Sequence, residues 1–262
     1  MNALRISAAL LLSSALNLFP AQSNANELPA NIHLASLEWL PYVGADLLQE
    51  GLSTAVASAA AKRFGYSVKI DYFPWKRAMQ VGGEDSNYSG YFPAYYTEER
   101  ARNCYFSAPM GNSTVGLVYV RDKPLQWRTL TDLIGKRIGV VSGYSNGGEF
   151  DDLVKQGKLY VDVSLGDIFN LKKLLAARVD AIVIDKSVFR YLSLTDPELS
   201  KEHTRLVFHD IVLAELTLHV CFQRTPTGLK LQQAFDNALQ NIDIKKIENT
   251  YFKEIENRKK VK

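Results

Sequence analysis

The sequence predicts an α/β protein, and three observations carry that prediction. Segments with apolar residues at every second position alternate along the chain with segments whose apolar residues recur at helical spacing. The 262 residues are 47% hydrophobic and 11% aromatic, enough for one large core or two modest ones and unlike a disordered or coiled-coil composition. There is no repeat, no low-complexity segment and no Pro/Gly-rich linker, so the chain passes from one α/β unit to another and back.

Taken in order, His33 to Leu37 reads as a first strand, followed by the loop Trp39-Leu40-Pro41-Tyr42. Gly51 to Phe64 is Ala-rich, with Leu52, Val56, Ala59, Ala60 and Phe64 on one helical stripe and Gly65 where a C-cap belongs. Val68, Ile70 and Tyr72 fall at period two and predict a strand over Ser67 to Phe73. Pro74 opens a short helix to Ala78, and the polar run from Gly82 to Ser89 reads as a loop. A second unit starts near Val115, with a strand over Leu117 to Val120, a capped turn at Thr131 to Ile134 and a buried strand over Arg137 to Val141. The loop Ser142 to Gly148 leads into a helix through Val154. Leu159 to Val163 is a strand, Asp167 to Ala177 a helix, and Ala181 to Ile184 an apolar strand ending at Asp185. Leu218 to Phe222 is a last strand, and Leu231, Phe235, Ala238, Leu239 and Ile242 form a long helical stripe.

The first 25 residues read as a secretory leader. They carry one charge, Arg5, then an apolar run from Ile6 to Phe19 and small residues ending at Ser23-Asn24-Ala25. That run is shorter than the roughly 20 residues a bilayer span needs, and no Cys stands at the cleavage point to carry a lipid. The formal charge of +3 falls by one on cleavage, and no dense Lys/Arg cluster is present, so nucleic acid is set aside as a partner. The basic tail from Lys253 reads as a solvated helix end. Two cysteines and four scattered histidines give no metal-ligand pattern, and no metal or other cofactor is expected.

Two helix starts that follow strands are suited to anions. The Gly- and hydroxyl-rich loop after Val141 would aim free N–H groups at a ligand. It lacks the Gly-Lys-Ser/Thr of a phosphate loop, and a tight turn needing glycine explains it equally well. The other is Thr97-Glu98-Glu99-Arg100 followed by Phe106-Ser107-Ala108-Pro109. This pair of motifs resembles the T-x-x-R … F-S-x-P segment of bacterial extracellular solute-binding proteins of the polar amino acid type. The likeness extends to Trp39-Leu40-Pro41-Tyr42, to the stretch Leu130 to Val140 with Gly143-Tyr144-Ser145 after it, and to Leu174 to Asp185. Trp75 falls where a second ligand-stacking aromatic sits in that family.

The resemblance implies two lobes, each a mixed sheet flanked by helices, joined by two hinge crossovers with the ligand between them. Carried over, the lobes are residues 26–111 with 214–262, and residues 112–213. It implies that Arg100 and Ser145 hold a carboxylate, that Asp185 meets an ammonium, and that Trp39, Tyr42, Trp75, Tyr95 and Tyr144 wall the site. A guanidinium fork suits a carboxylate and a compact acid suits an ammonium. Taken alone, Arg100 reads as a surface arginine paired with Glu98 or Glu99, and Asp185 as the cap of a helix over Ser187 to Leu192. Trp75 stays open between ligand stacking and ordinary core. Pro93, Ala94, Tyr95 and Tyr96 replace the small hydroxyls common before the threonine, no acid stands at the family's matching position around Tyr88-Ser89-Gly90, and Tyr144 stands in place of Ser or Thr, so the cleft is expected to be unusually aromatic. The family topology also brings Cys104 and Cys221 onto neighbouring strands as candidates for a disulfide, with two buried thiols as the alternative. The function implied is capture of a small amino-acid-like or carboxylated ligand in the periplasm, without turnover, by a monomer that presents it to the membrane permease of an ABC-type importer. The alternatives are a dehydratase-like enzyme on the same fold, with Asp185 as its acid, and a sensory binding protein.

Overall fold

The computed structural model describes residues 31–260, and the leader expected over residues 1–25 lies outside them. The first half begins with β1 (Asn31–Ser36), α1 (Leu52–Lys62), β2 (Ser67–Tyr72), α2 (Trp75–Glu84) and β3 (Gly90–Tyr95). β1 lies between β2 and β3, parallel to both, as short helical crossovers require. Then come α3 (Glu98–Ala101), β4 (Cys104–Phe106) and the long β5 (Gly111–Val120). The second half contains β6 (Arg137–Val141), α4 (Gly148–Lys155), β7 (Tyr160–Ser164), α5 (Asp167–Leu175), β8 (Ala181–Asp185), α6 (Lys186–Thr195) and the single turn α7 (Leu199–Glu202). β9 (Leu206–Gln223), α8 (Pro226–Gln240) and α9 (Ile244–Lys260) return the chain to the first half.

The strands form one curled mixed sheet in the order β2-β1-β3-β9-β5-β8-β6-β7, with β4 on the end of β9. β5 and β9 pair antiparallel from Gly111↔Leu218 to Val120↔Leu206, with register shifts around Val115 to Val118. They therefore thread both halves, and the expected lobe limits at 111/112 and 213/214 fall inside them. β3 and β4 hold one end of β9, while β8 pairs with the far part of β5.

Burial departs from the expected helical stripes at two helices. α1 buries Ser53, Thr54, Ala55, Ala57 and Ala61 as well as its expected stripe, whereas Ala59 and Phe64 are only half-buried. A second cover adds to the sheet: Tyr251 of α9 packs on Leu52 and Ala55. α2 runs past Ala78 through Gly82, which the sequence reading had placed in a loop. A Cβ on Gly82 would stand 2.6 Å from the Gly90 carbonyl oxygen, so the glycine lets α2 press onto β3. Phe222 of β9 meets Phe235 of α8 edge-on at 5.5 Å, and both are fully buried. Truncating such a ring costs about 3–5 kcal/mol. Cys104 and Cys221 are joined as a disulfide, with Cα atoms 5.6 Å apart and 117 residues between them in sequence. No helix among the described residues is long and apolar enough to cross a membrane.

Candidate functional site

Side chains from both halves of the sheet converge beside the β5/β9 strands. The loop after β1 brings Trp39 and Tyr42, stacked on each other at 4.5 Å. Tyr95 at the end of β3 meets Trp39 edge-on at 5.9 Å, and Tyr144 of the 142–148 loop does so from the other half at 6.4 Å. Trp39, Trp75, Tyr95, Arg100, Tyr144 and Ser145 line a narrow pocket. All six were expected at the site. Tyr42 and Asp185 stand behind this wall rather than in it, tied into one hydrogen-bond network.

Arg100 is placed by α3. The Thr97 hydroxyl caps that helix by accepting the Arg100 N–H at 3.1 Å, which fixes where the side chain leaves. Its guanidinium does not pair with Glu98 or Glu99. It donates to the Tyr95 carbonyl at 2.8 Å and, across the cleft, to the Gly143 carbonyl at 3.0 Å. It also sits 5.7 Å from the Trp75 ring centroid. Trp75 donates its indole N–H to the same Gly143 carbonyl at 3.1 Å, while its ring is buried in the core. Burial of the guanidinium lowers its pKa from the usual arginine value, yet it stays a cation. Two of its five N–H groups are used, leaving three for a ligand. Gly143 permits the close approach: φ is +80°, and a Cβ there would meet Lys76 Cγ at 2.9 Å.

Asp185 takes the helix-cap role read for it, and its carboxylate is occupied by internal donors. One carboxylate oxygen accepts the Ser187 and Val188 N–H groups at 2.7 and 2.9 Å, capping α6. The other accepts Ser113 Oγ–H at 2.6 Å and Tyr42 O–H at 3.1 Å, and Tyr95 O–H donates on to Ser113 at 2.7 Å. These four bonds use the four lone-pair sites of a carboxylate. Burial raises the Asp185 pKa against the pull of those donors. Burial also raises the Tyr42, Tyr95 and Tyr144 hydroxyls well above their ordinary value, so all three remain neutral donors.

The glycine-rich loop holds an anion of its own. Asp151 of α4 accepts the Ser145 O–H at 2.7 Å and the Asn146 N–H at 3.1 Å. The groups expected to receive a ligand carboxylate thus turn toward Asp151, and Ser145 offers the pocket only oxygen lone pairs. This departs from the role read for Ser145 and leaves Arg100 as the cation of the site.

Asp167, the first residue of α5, escaped the sequence reading. It is 7% exposed and lies behind Trp39 and Tyr144. Burial first, and the charge of Asp185 second, push its carboxyl up to about 7, while Tyr144 and Trp39 pull the other way. No sequence signal marks it, because an acid in the first turn of a helix is ordinary. Ser113 was missed for a similar reason: nothing local distinguishes it from a strand serine.

No family model matches the sequence, and no curated protein sequence matches it. Solved structures match in shape. An ancestral arginine-binding protein bound to arginine has a TM-score of 0.70 at 18% identity, over 86% of this chain and 100% of that one. An amino acid ABC transporter substrate-binding protein of Streptococcus pneumoniae, AbpA, bound to L-arginine, gives 0.69 at 16% identity, over 86% and 95%. An ancestral amino acid-binding protein described as a precursor of cyclohexadienyl dehydratase gives 0.66 at 15% identity, over 86% and 94%. The chain thus has the two-lobe, periplasmic-binding-protein-like α/β fold of these amino acid-binding structures.

Proposed function

We propose that this protein is a solute-binding protein that closes on a small amino-acid-like or carboxylated ligand and presents it to the membrane permease of an ABC-type importer. The observation that carries this reading is Arg100, a half-buried cation reaching from one half of the sheet to a backbone carbonyl of the other inside an aromatic pocket. Residues 26–111 with 214–262 would form one lobe and residues 112–213 the other, with β5 and β9 as the hinge. A ligand carboxylate would engage the three remaining guanidinium N–H groups, and contacts to both halves would favour the closed form. The leader ending at Ala25 would export the chain to the periplasm, where it would act as a monomer. The binding of arginine by two neighbours of the same fold supports an amino-acid-like ligand.

A second reading, an enzyme on this fold, draws on one observation: Asp167 near pKa 7 has the poise of a general acid. One neighbour is described as the precursor of a dehydratase. The test is to incubate the mature protein with excess of its best thermal-shift ligand and follow the mixture by mass spectrometry. The binding reading expects the ligand to remain intact. Steady consumption over many equivalents overturns it in favour of the enzyme.

A further inference from the structure

We infer that the ligand of the cleft is a flat, apolar carboxylic acid without an ammonium group, an aromatic monocarboxylate rather than an amino acid. The inference rests on the binding reading above and names the chemical class of its ligand. It starts from the charges that reach the pocket. Among the described residues lining it, Arg100 is the only charged one, and no carboxylate is present. Asp185 is withdrawn behind the wall, where Ser113, Tyr42 and the start of α6 use the four lone-pair sites of its carboxylate. Asp167 lies behind Trp39 and Tyr144, outside that lining. In the wider groove at the mouth, Asp151 is engaged by Ser145 and Asn146, and Glu98 by the Tyr96 hydroxyl.

The polar tips of the wall are spent in the same way. Tyr95 O–H donates to Ser113, the Trp75 indole N–H to the Gly143 carbonyl and Ser145 O–H to Asp151. Leu37 and Pro93 complete the lining, so a ligand meets mostly ring and aliphatic carbon, with the free guanidinium N–H groups as the charged donors. A carboxylate suits those donors through charge-assisted hydrogen bonds. An ammonium does not. It would enter beside a guanidinium of the same sign with no carboxylate to pair it, and an unpaired charge is costly to take out of water. Four rings, Trp39, Trp75, Tyr95 and Tyr144, wall the narrow space, and a flat ring gains more against them than a branched chain does.

A buried charge left without its partner weakens binding by roughly 100-fold or more. Pairs of compounds that differ only by the ammonium isolate that effect. Phenylacetate is matched with L-phenylglycine, and hydrocinnamate with L-phenylalanine. Isocaproate with L-leucine puts the same question to an aliphatic body, and phenylacetamide keeps the ring while dropping the anion.

The test screens these compounds, with L-arginine, L-glutamine and L-glutamate added, by thermal shift of the mature wild-type protein at neutral pH. Every compound that shifts the melt is then titrated calorimetrically. The expected result is that each acid binds about 100-fold or more tightly than its amino acid counterpart, and that the ring acids bind more tightly than isocaproate. Phenylacetamide should bind at least about tenfold more weakly than phenylacetate. Any amino acid binding as tightly as the ring acids would overturn the inference and leave the binding function standing. Phenylacetamide matching phenylacetate would overturn it too, because the anion would then play no part. Binding by none of the compounds overturns both the inference and the binding reading.

Discussion

Replacing Asp167 by asparagine should stabilise the ligand-free protein, and by an amount that depends on pH in a defined way. The unfolded carboxyl titrates at 3.8 and the folded one at about 7, so between those values the folded state holds a proton that the unfolded state has lost. Stability therefore falls as pH rises through that window; the cost is absent below about 4 and complete above about 7. A shift of about three units at about 1.4 kcal/mol each gives roughly 4 kcal/mol at the plateau. Urea denaturation of both proteins at several pH values from 4.5 to 8.5 measures it. Their difference cancels every titrating group the two share except Asp185, whose repulsion is also relieved, so the plateau belongs to the carboxyl pair. The gain from Asp167→Asn should grow by up to about 1.4 kcal/mol per unit until pH 7 and then level off. A difference flat within about 1 kcal/mol across the whole range would mean that Asp167 is ionised and compensated in the fold, and the reasoning fails.

Three further outcomes are expected. Arg100→Ala should weaken the best ligand by about 2–5 kcal/mol, or 30-fold to several thousand-fold, and Arg100→Lys should recover little, because an ammonium lacks the fork; calorimetry on folded variants checks this, and a change under threefold sinks the carboxylate role. The unfolded, unreduced protein should show no free thiol, and replacing Cys104 and Cys221 by alanine should cost roughly 5 kcal/mol in denaturant titration, as expected for closing a loop of over 100 residues. Gly143→Ala adds a Cβ at positive φ, about 1–2 kcal/mol of backbone strain, and pushes against Lys76. It should weaken binding about tenfold and enlarge the radius of gyration of the liganded protein in small-angle scattering, whereas an unchanged affinity would show that the halves do not close through this contact.

The geometry ties these predictions to one design. Trp75 and Arg100 both donate to the Gly143 carbonyl and so latch the halves, and the arginine is also the proposed anchor. A ligand carboxylate at Arg100 strengthens the latch only if the guanidinium keeps its bond to the Gly143 carbonyl. That is geometrically permitted, because three N–H groups remain.

How much of this was legible beforehand depends on whether the determining interaction is local. Strand β6 is copied from the apolar run Arg137 to Val141, and Asp185 at the end of the apolar β8 run was readable as a cap. The turn before β6 carries its own capping box in Thr129 and Asp132. By contrast, β3 is buried at all six positions and shows no alternation, so its Gly90–Tyr95 run did not read as a strand. The first part of β9, from Leu206 to Thr217, was missed because its exposure follows pairing with a twisted β5 rather than a clean period of two.

The sequence by itself determined the α/β order of the elements and the aromatic and charged residues that would meet, because hydrophobic period, caps and turn residues act over a few neighbours. Only the tertiary structure decided how those residues divide the work. Asp185 is saturated by Ser113, Tyr42 and the start of α6, Ser145 is turned toward Asp151, and Asp167 is buried beside the charge of Asp185. Ionisation and hydrogen-bond satisfaction depend on which distant groups are brought within about 3 Å and on how much water is excluded, and neither is written in any local stretch of chain.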